Sequence, residues 1–222
     1  MPDLTLTIGQ LKITPLFWSL CLGFVFSSFS FWRRLKEDYS QEDIFGLTLL
    51  VVVFCLFFYW LPIFFWDQSL SLPFAFAGGF LAVKVWSSRF KMKVWEVYDA
   101  LAPSVLIFLF CGGIGEFLIS GSAWAGGYVV ISLFGWIFWK FLRKRYRSFS
   151  WYKSGKIGFL FWAVCFLIFV LLLLLAFLRK DGLYFKLLIF SEALFSAGII
   201  YFRSERSLQE DFKSIFYSKW QK

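Results

Sequence analysis

The sequence predicts an all-α membrane protein with seven transmembrane helices, and three observations lead to that fold class. Of the 222 residues, 60% are hydrophobic, which is more apolar surface than a soluble fold can cover. Seven stretches each approach the roughly 20 apolar residues that a helix needs to cross a bilayer. The Lys and Arg residues between these stretches fall almost entirely in alternate loops.

The predicted spans follow one another with short connections, so no soluble domain fits between them. They cover residues 13–32, 44–65, 70–86, 100–119, 124–142, 157–178 and 183–202. The first span has neither a charged segment before it nor a small-residue cleavage site after it, and is therefore predicted to be a retained helix. We assign residues 1–203 to the membrane domain and residues 204–222 to a cytoplasmic tail.

Orientation follows from the distribution of basic residues, because cytoplasmic loops carry an excess of Lys and Arg. Of the 23 basic residues, 18 fall in the loops on one side, four fall on the other, and Lys84 lies within the third span. The N-terminus is thus predicted outside and the C-terminus in the cytoplasm. The four outer cations are Lys12, Arg179, Lys180 and Lys186.

Both ends of the chain show periodic patterns. Residues 4–8 alternate apolar and polar side chains at the strand period, which predicts an extended segment on the outer surface. In the tail, apolar residues recur at helical spacing, which is typical of an amphipathic helix at the membrane interface; a solvated helical tail is the alternative. These apolar residues are Leu208, Phe212, Ile215, Phe216 and Trp220.

Composition also excludes several classes of function. The net charge of +9 comes from the basic loops that membrane insertion favours, so no nucleic-acid partner is predicted. The four Cys residues each lie alone in a different span, and the chain has no His, so neither a metal site nor a cofactor is predicted.

Ionisable residues at membrane depth are costly and indicate function by default. Glu116 and Glu192 are the two deep carboxylates, and Arg179 ends the sixth span on the outer side with Lys186 nearby. Arg179 and Lys186 suit a lipid phosphate. The alternative is that Arg179 and Lys180 anchor the end of the sixth span at the interface. Because a deep carboxylate seeks a cation, Glu116 is expected to approach Arg179; a protonated carboxyl bonded between helices is the alternative for both glutamates.

Glycines cluster at the same depth, at Gly78 and Gly79 in the third span and at Gly112, Gly113 and Gly115 in the fourth. Small residues there allow close helix approach or access of a ligand to the backbone.

At these positions the chain resembles the prolipoprotein diacylglyceryl transferases of bacterial membranes. Residues 76–79 (Phe-Ala-Gly-Gly) are similar to that family's Phe-His-Gly-Gly, and residues 99–103 to its Asp-x-x-Ala-Pro. Residues 112–117 (Gly-Gly-Ile-Gly-Glu-Phe) fall on its signature Gly-Arg-Ile/Leu-Gly-Asn-Phe. Residues 8–13 and 177–179 resemble the start of its first span and the Phe-x-Arg that ends its sixth. The resemblance runs through all seven spans in order and implies the bacterial inner membrane.

The resemblance implies transfer of a diacylglyceryl group from phosphatidylglycerol to the thiol of a lipoprotein precursor, with membrane lipids as further partners. Such a transfer needs a base to form the thiolate and a cation to stabilise the departing phosphate. Arg179 is expected to be the cation, and Glu116 or Glu192 the base. The substrate-binding residues are expected to be Gly78, Gly79, Gly112, Gly115, Arg179 and Lys186.

Four departures from the family pattern leave a second function open. Ala77 stands at the family's His, Gly113 at its signature Arg, Glu116 at its Asn and Leu16 at a first-span Tyr. A catalytically silent protein of the same fold, which binds the lipid or the lipoprotein precursor, is therefore the alternative. A receptor or retinal protein is disfavoured because the third span is followed by no Asp-Arg-Tyr and the seventh contains no Asn-Pro-x-x-Tyr. A transporter stays open as an alternative, although the sequence shows no inverted half-repeats or paired broken spans.

Overall fold

A computed structural model describes residues 6–8, 11–65, 70–149, 152 and 156–205 of the chain. Within these residues each predicted span contains one α-helix, which confirms the helical fold class. The helices are α1 (Pro15–Leu35), α2 (Gln41–Phe65), α3 (Ser71–Arg89), α4 (Val94–Ser120), α5 (Ala123–Arg145), α6 (Phe159–Leu178) and α7 (Leu183–Arg203). A 3-10 turn, Tyr146–Ser148, follows α5.

The extended segment predicted near the N-terminus is a strand over its described part. Strand β1 (Leu6–Ile8) pairs antiparallel with β2 (Leu11–Ile13), with Leu6 opposite Ile13. The other part of that prediction, residues 4–5, lies outside the described residues. So does most of the amphipathic tail, residues 206–222.

The chain is a multi-pass helical membrane protein. Six of the seven described helices are long and apolar enough to cross a bilayer, and large apolar side chains such as Phe57, Ile137 and Phe190 project outward from them. The exception is α3, whose hydropathy is lowered by Lys84 and by serines at both of its ends. The prediction of seven spans is therefore supported for six helices by length and composition.

Helices that follow one another in sequence run antiparallel. In α2 and α3, Gly46 lies against Trp86 while Gly78 lies against Phe58, so the residue numbers rise along one helix as they fall along the other. The N-terminal half of α1 similarly meets the C-terminal half of α4, where Gly115 lies against Ser19. Because the direction alternates through seven helices, α1 begins at the end of the bundle opposite to the one where α7 ends.

We call the end where α7 terminates the basic end, because Lys and Arg residues are concentrated there. Contacts at this end join the C-termini of α1 and α5, the N-termini of α4 and α6, and the C-terminus of α7 to the N-terminus of α4. These five helix termini therefore lie at the same end of the bundle. The other end, where α6 terminates and α7 begins, is called the opposite end.

Small residues explain why α1 packs so closely on α4. Ser19, Gly23 and Ser27 recur every fourth residue and form one face of α1, a spacing typical of closely packed membrane helices. A Cβ atom on Gly23 would come within 3.0 Å of Cys111 Cβ. The Ser27 hydroxyl donates to the Ser104 carbonyl and the Ser104 hydroxyl to the Ser27 carbonyl, both at 2.9 Å. The two reciprocal bonds satisfy hydroxyls that the membrane interior cannot solvate.

The core of the bundle lies around the first half of α6, where aromatic rings from three helices meet. Phe80 of α3 lies 5.1 Å from Trp162, and Tyr98 of α4 lies 5.1 Å from Phe161, measured between ring centroids. The Tyr98 hydroxyl donates to the Phe80 carbonyl at 3.0 Å, so the buried phenol is satisfied. Although α3 is not among the six helices that are apolar enough to cross a bilayer, it is thus part of the core.

At the basic end, Asp99 of α4 caps the N-terminus of α6. Its carboxylate oxygens accept from Gly158 N at 2.7 Å and from Phe161 N at 3.0 Å. Gly158 has φ +103°, in the left-handed region that favours glycine, and it lies against the Trp95 ring, where a Cβ would approach to 2.7 Å. The cap is therefore tertiary, since the acceptor comes from another helix.

A second polar cluster joins the α1–α2 loop to the start of α4. The Tyr39 hydroxyl donates to Glu96 Oε2 at 2.9 Å and accepts from Lys93 N at 3.1 Å, and Lys93 Nζ lies 3.1 Å from Glu96 Oε1. Burial, reinforced by the bond to Glu96, raises the pKa of Tyr39. The phenol therefore stays protonated at neutral pH and keeps its donor.

Candidate functional site

The opposite end holds a polar site built around the Arg179 guanidinium. Arg179 Nη1 donates to the Tyr128 hydroxyl at 3.2 Å, and Arg179 Nε lies 3.4 Å from Asp181 Oδ1. About a third of the Arg179 side chain remains exposed, against 19% for Asp181. The guanidinium is thus held by two partners while part of its surface stays open to an incoming anion.

The chain reversal after α6 explains why Asp181 returns to Arg179. Lys180 adopts φ +58°, Asp181 N donates to the Ala176 carbonyl at 3.0 Å, and Lys180 N donates to the Phe177 carbonyl at 3.2 Å. These two bonds form a Schellman motif, which closes the helix and fixes the residues that follow it. The ion pair therefore lies on a defined backbone.

Tyr128 comes from the first turns of α5, which Ser122 caps by accepting from Trp124 N at 3.3 Å. The backbone of α5 approaches α4 closely here, because a Cβ atom on Gly113 would lie 2.9 Å from Tyr128 Cβ. The small residue at 113 thus allows Tyr128 to lie on α4 with its hydroxyl on Arg179.

Glu116 lies at the same end, in the last turns of α4, within electrostatic range of Tyr128. Its side chain is exposed. The predicted ion pair between Glu116 and Arg179 is not formed among the described residues, since the arginine pairs with Asp181. The reason is local: the Schellman motif brings Asp181 to the guanidinium, whereas Glu116 lies in the last turns of α4, where every residue from 116 to 120 is exposed.

Four of the five clustered glycines face a neighbouring helix at short range. A Cβ atom on Gly78 would approach the Phe54 carbonyl oxygen to 2.8 Å, one on Gly79 the Cys55 sulfur to 3.1 Å, and one on Gly115 the Leu16 Cα to 2.8 Å. Gly113 meets α5 as described above, whereas Gly112 has only ordinary contact, with Leu20 at 3.7 Å. Close helix approach accounts for these glycines, and substrate contact at Gly78, Gly79, Gly112 and Gly115 stays a prediction.

Lys186, expected at the substrate site, belongs to the first turn of α7. Its Nζ lies 4.9 Å from the centre of the Phe177 ring on the last turn of α6. This cation–π contact places the ammonium at the same end of the bundle as Arg179. No ion pair of Lys186 occurs within the described part of the chain.

Glu192 lies deeper, in the middle of α7 and away from Arg179. Its Oε2 atom is buried without a hydrogen-bond partner among the described residues, beside the buried Cys165 of α6. Two further polar atoms in this part of the α6–α7 interface, Trp162 Nε1 and Ser196 Oγ, are likewise unpaired. The two carboxylates predicted as alternative bases thus occupy different places, and only Glu116 is at the Arg179 end.

We predict that Glu192→Leu raises the free energy of unfolding by about 1–3 kcal/mol, because it removes a buried acceptor whose hydrogen bond is unmade. Glu192→Gln, which keeps the buried polar group, is the matched control and is expected to change stability little. Unfolding by steric trapping in bicelles measures both. A Leu variant less stable than the Gln variant would show that the carboxyl makes stabilising bonds in the membrane.

Sequence reasoning singled out Arg179 and Glu116, but it missed Tyr128 as the hydrogen-bond partner of Arg179. A phenol near the end of an apolar span is common at membrane interfaces, so Tyr128 by itself gives no functional signal. The sequence signal beside it is the pair Gly126 and Gly127, small residues that are typical of close helix packing. No protein-family model matches the chain, and no curated protein is significantly similar to it.

Proposed function

We propose that this chain is a divergent diacylglyceryl transferase of the bacterial inner membrane that binds the phosphate of phosphatidylglycerol at Arg179. The observation that carries the proposal is the guanidinium held by Tyr128 and Asp181 with an exposed part remaining. A planar, pre-oriented guanidinium forms paired hydrogen bonds to phosphate oxygens. Lys186 on the neighbouring helix end adds positive charge for an anionic headgroup.

The proposal includes seven membrane crossings, with the N-terminus outside and the basic end in the cytoplasm. The alternating direction of seven helices supports it, as does the position of α3 in the core. At 19 residues and 1.5 Å rise, α3 is about 28 Å long, close to the thickness of the hydrocarbon layer. Lys84 lies near its basic end, where the long side chain can reach the interface.

This topology predicts the result of reporter fusions along the chain. Fusions after Phe149 and after Lys222 are expected to report a cytoplasmic location, and a fusion after Ser69 an external one, because basic loops are retained inside. Alkaline phosphatase and a fluorescent protein provide the two complementary readouts. If the fusion after Lys222 were external, or that after Ser69 cytoplasmic, the proposed topology would be wrong.

In the proposed reaction the lipoprotein thiol loses its proton to Glu116. The thiolate sulfur then attacks the carbon of the diacylglyceryl group that is bonded to the phosphate oxygen. The new C–S bond replaces the C–O bond, whose electron pair leaves with glycerol phosphate. Arg179 stabilises the negative charge on that departing phosphate. Glu116 suits the base because it shares the opposite end with Arg179, whereas Glu192 is buried between α6 and α7.

A catalytically silent lipid-binding protein is the second candidate, and the packing at Gly113 favours it. The resemblance implies a signature arginine at this position, but Tyr128 and Val129 of α5 fill the space in front of Gly113. One cation of the family pattern is therefore replaced by a phenol. Glu116, without an ion pair to Arg179, also lacks a contact that would hold it toward a bound lipid.

Complementation of a transferase-depleted bacterium, followed by a purified assay with phosphatidylglycerol and a lipobox peptide, tests the proposal. Wild type is expected to form the thioether. Glu116→Gln is expected to slow transfer by about 10²–10⁴-fold, the range for loss of a general base, while phosphatidylglycerol is still retained. Retention without thioether formation in wild type would favour the silent protein, and absence of both would refute the proposed function.

A further inference from the structure

The basic end contains a second cationic cluster, which the proposed function does not use. The Arg34 guanidinium of α1 lies 4.6 Å from the centre of the Trp139 ring of α5, and the Arg143 guanidinium lies 5.5 Å from the same ring. Trp139 itself is 4% exposed, whereas Arg34 is half-buried and Arg143 exposed. The buried indole therefore forms a rigid platform that gathers two cations from two helices.

Neither guanidinium has an anionic partner in the part of the chain that the structure describes. Ion pairs in that part of the chain include Lys93 with Glu96, Lys156 with Glu205 and Arg179 with Asp181. Asp99 is within electrostatic range of Arg34 and offsets part of its charge, while its oxygens accept from the backbone N–H groups that begin α6. The two guanidiniums lie on one ring and repel each other, so a further negative charge between them would stabilise the arrangement.

The helix termini supply only part of that charge. Arg34 and Arg143 lie in the last turns of α1 and α5. The dipole of each helix places the equivalent of about half a negative charge at its C-terminus. Two such termini offset about one of the two positive charges, and Asp99 offsets part of the other. An anion that accepts several hydrogen bonds, as a phosphate ester does, would balance the remainder.

We propose that Arg34 and Arg143, gathered on Trp139, form a binding site for the phosphate of an anionic phospholipid at the basic end. The flanking residues favour a lipid over free phosphate, because they mark the level of the membrane interface. Lys36 lies 5.2 Å from the Trp32 ring and Lys140 lies 5.8 Å from the Trp136 ring. Tryptophan rings beside lysines are typical of the headgroup region.

Lipid binding to the purified protein tests this site in an Arg179→Ala background, which removes the lipid proposed for the other end. Phosphatidylglycerol is titrated into phosphatidylcholine nanodiscs, and bound lipid is counted by native mass spectrometry. Arg34→Gln with Arg143→Gln is expected to weaken binding at least about tenfold, the loss expected for one charged hydrogen bond or more. Arg33→Gln with Lys144→Gln removes the same charge from exposed residues without ring contacts and is expected to change affinity less than about twofold.

Three outcomes would overturn the proposal. Equal weakening in the two double variants would show diffuse attraction to basic residues. Displacement of the lipid by millimolar inorganic phosphate would assign the site to the free anion. If the Gln pair does not fold, Arg34→Lys with Arg143→Lys keeps both charges but loses the planar fork, and unchanged affinity in that variant would remove the arginines from the site.

Discussion

Asp99→Ala is expected to lower the free energy of unfolding by about 2–4 kcal/mol, a large loss for the removal of one helix cap. The carboxylate accepts two backbone bonds from the first residues of α6, at 2.7 and 3.0 Å. Without it, both N–H groups lose their acceptor in a partly buried place, and the start of α6 is no longer tied to α4. Steric trapping in bicelles gives the free energy directly.

Two variants show whether this loss comes from the cap. Asp99→Asn keeps one acceptor oxygen but no charge, so it is expected to lose about half as much. Asp38→Ala removes an exposed carboxylate in the α1–α2 loop and is expected to change stability by less than about 0.5 kcal/mol. Equal effects of Asp99→Ala and Asp38→Ala would contradict the role of Asp99 as the cap of α6.

Arg179→Ala is expected to reduce retention of phosphatidylglycerol by roughly 10- to 150-fold. A charge-assisted hydrogen bond to a phosphate shielded from water contributes about 1.5–3 kcal/mol, which corresponds to that range of affinity. The fold is expected to survive, because α6 closes through backbone bonds of the Schellman motif that do not involve the side chain. Lipid mass spectrometry of protein purified in mild detergent measures the retained lipid.

Lys180→Ala is the matched control, since it removes a neighbouring cation that forms no ion pair among the described residues. It is expected to reduce retention less than about threefold, because an exposed charge is screened by salt. Tyr128→Phe removes only the hydroxyl that holds Arg179. Its loss of lipid retention is expected to lie between the losses in Arg179→Ala and Lys180→Ala. Equal retention by wild type and Arg179→Ala would leave Arg179 as an interfacial anchor.

The sequence was sufficient to predict the helices, because a span of about 20 apolar residues has one stable form in lipid. Each of the seven windows contains a helix, with ends that differ by a few residues, as for α1, which runs from Pro15 to Leu35. The N-terminal strand was predicted over residues 4–8, but its partner β2 was not. Strand β2 has only three residues, which is too short for an alternation of apolar and polar side chains to predict a strand.

The site was predictable only in part, because side-chain partners depend on helix rotation. Glu116 and Arg179 were placed correctly at one end from their depth in the sequence. Depth does not reveal how the α4 helix is rotated, so it could not show that Arg179 forms its ion pair with Asp181 and not with Glu116. Asp181 holds the guanidinium because of the local turn after α6. Tyr128 holds it because α5 closely approaches Gly113, which is a tertiary feature.

The most direct test of the central claim is the location of the lipid phosphate on the protein. Phosphatidylglycerol that carries a photoreactive group next to its headgroup is incorporated into membranes with the full chain, and labelled peptides are mapped by mass spectrometry. We predict labelling around Tyr128 and Arg179, lost in Arg179→Ala and kept in Lys180→Ala. Labelling around Tyr128 and Arg179 that is as strong in Arg179→Ala as in wild type, or that is absent from wild type, would contradict a phosphate site at Arg179.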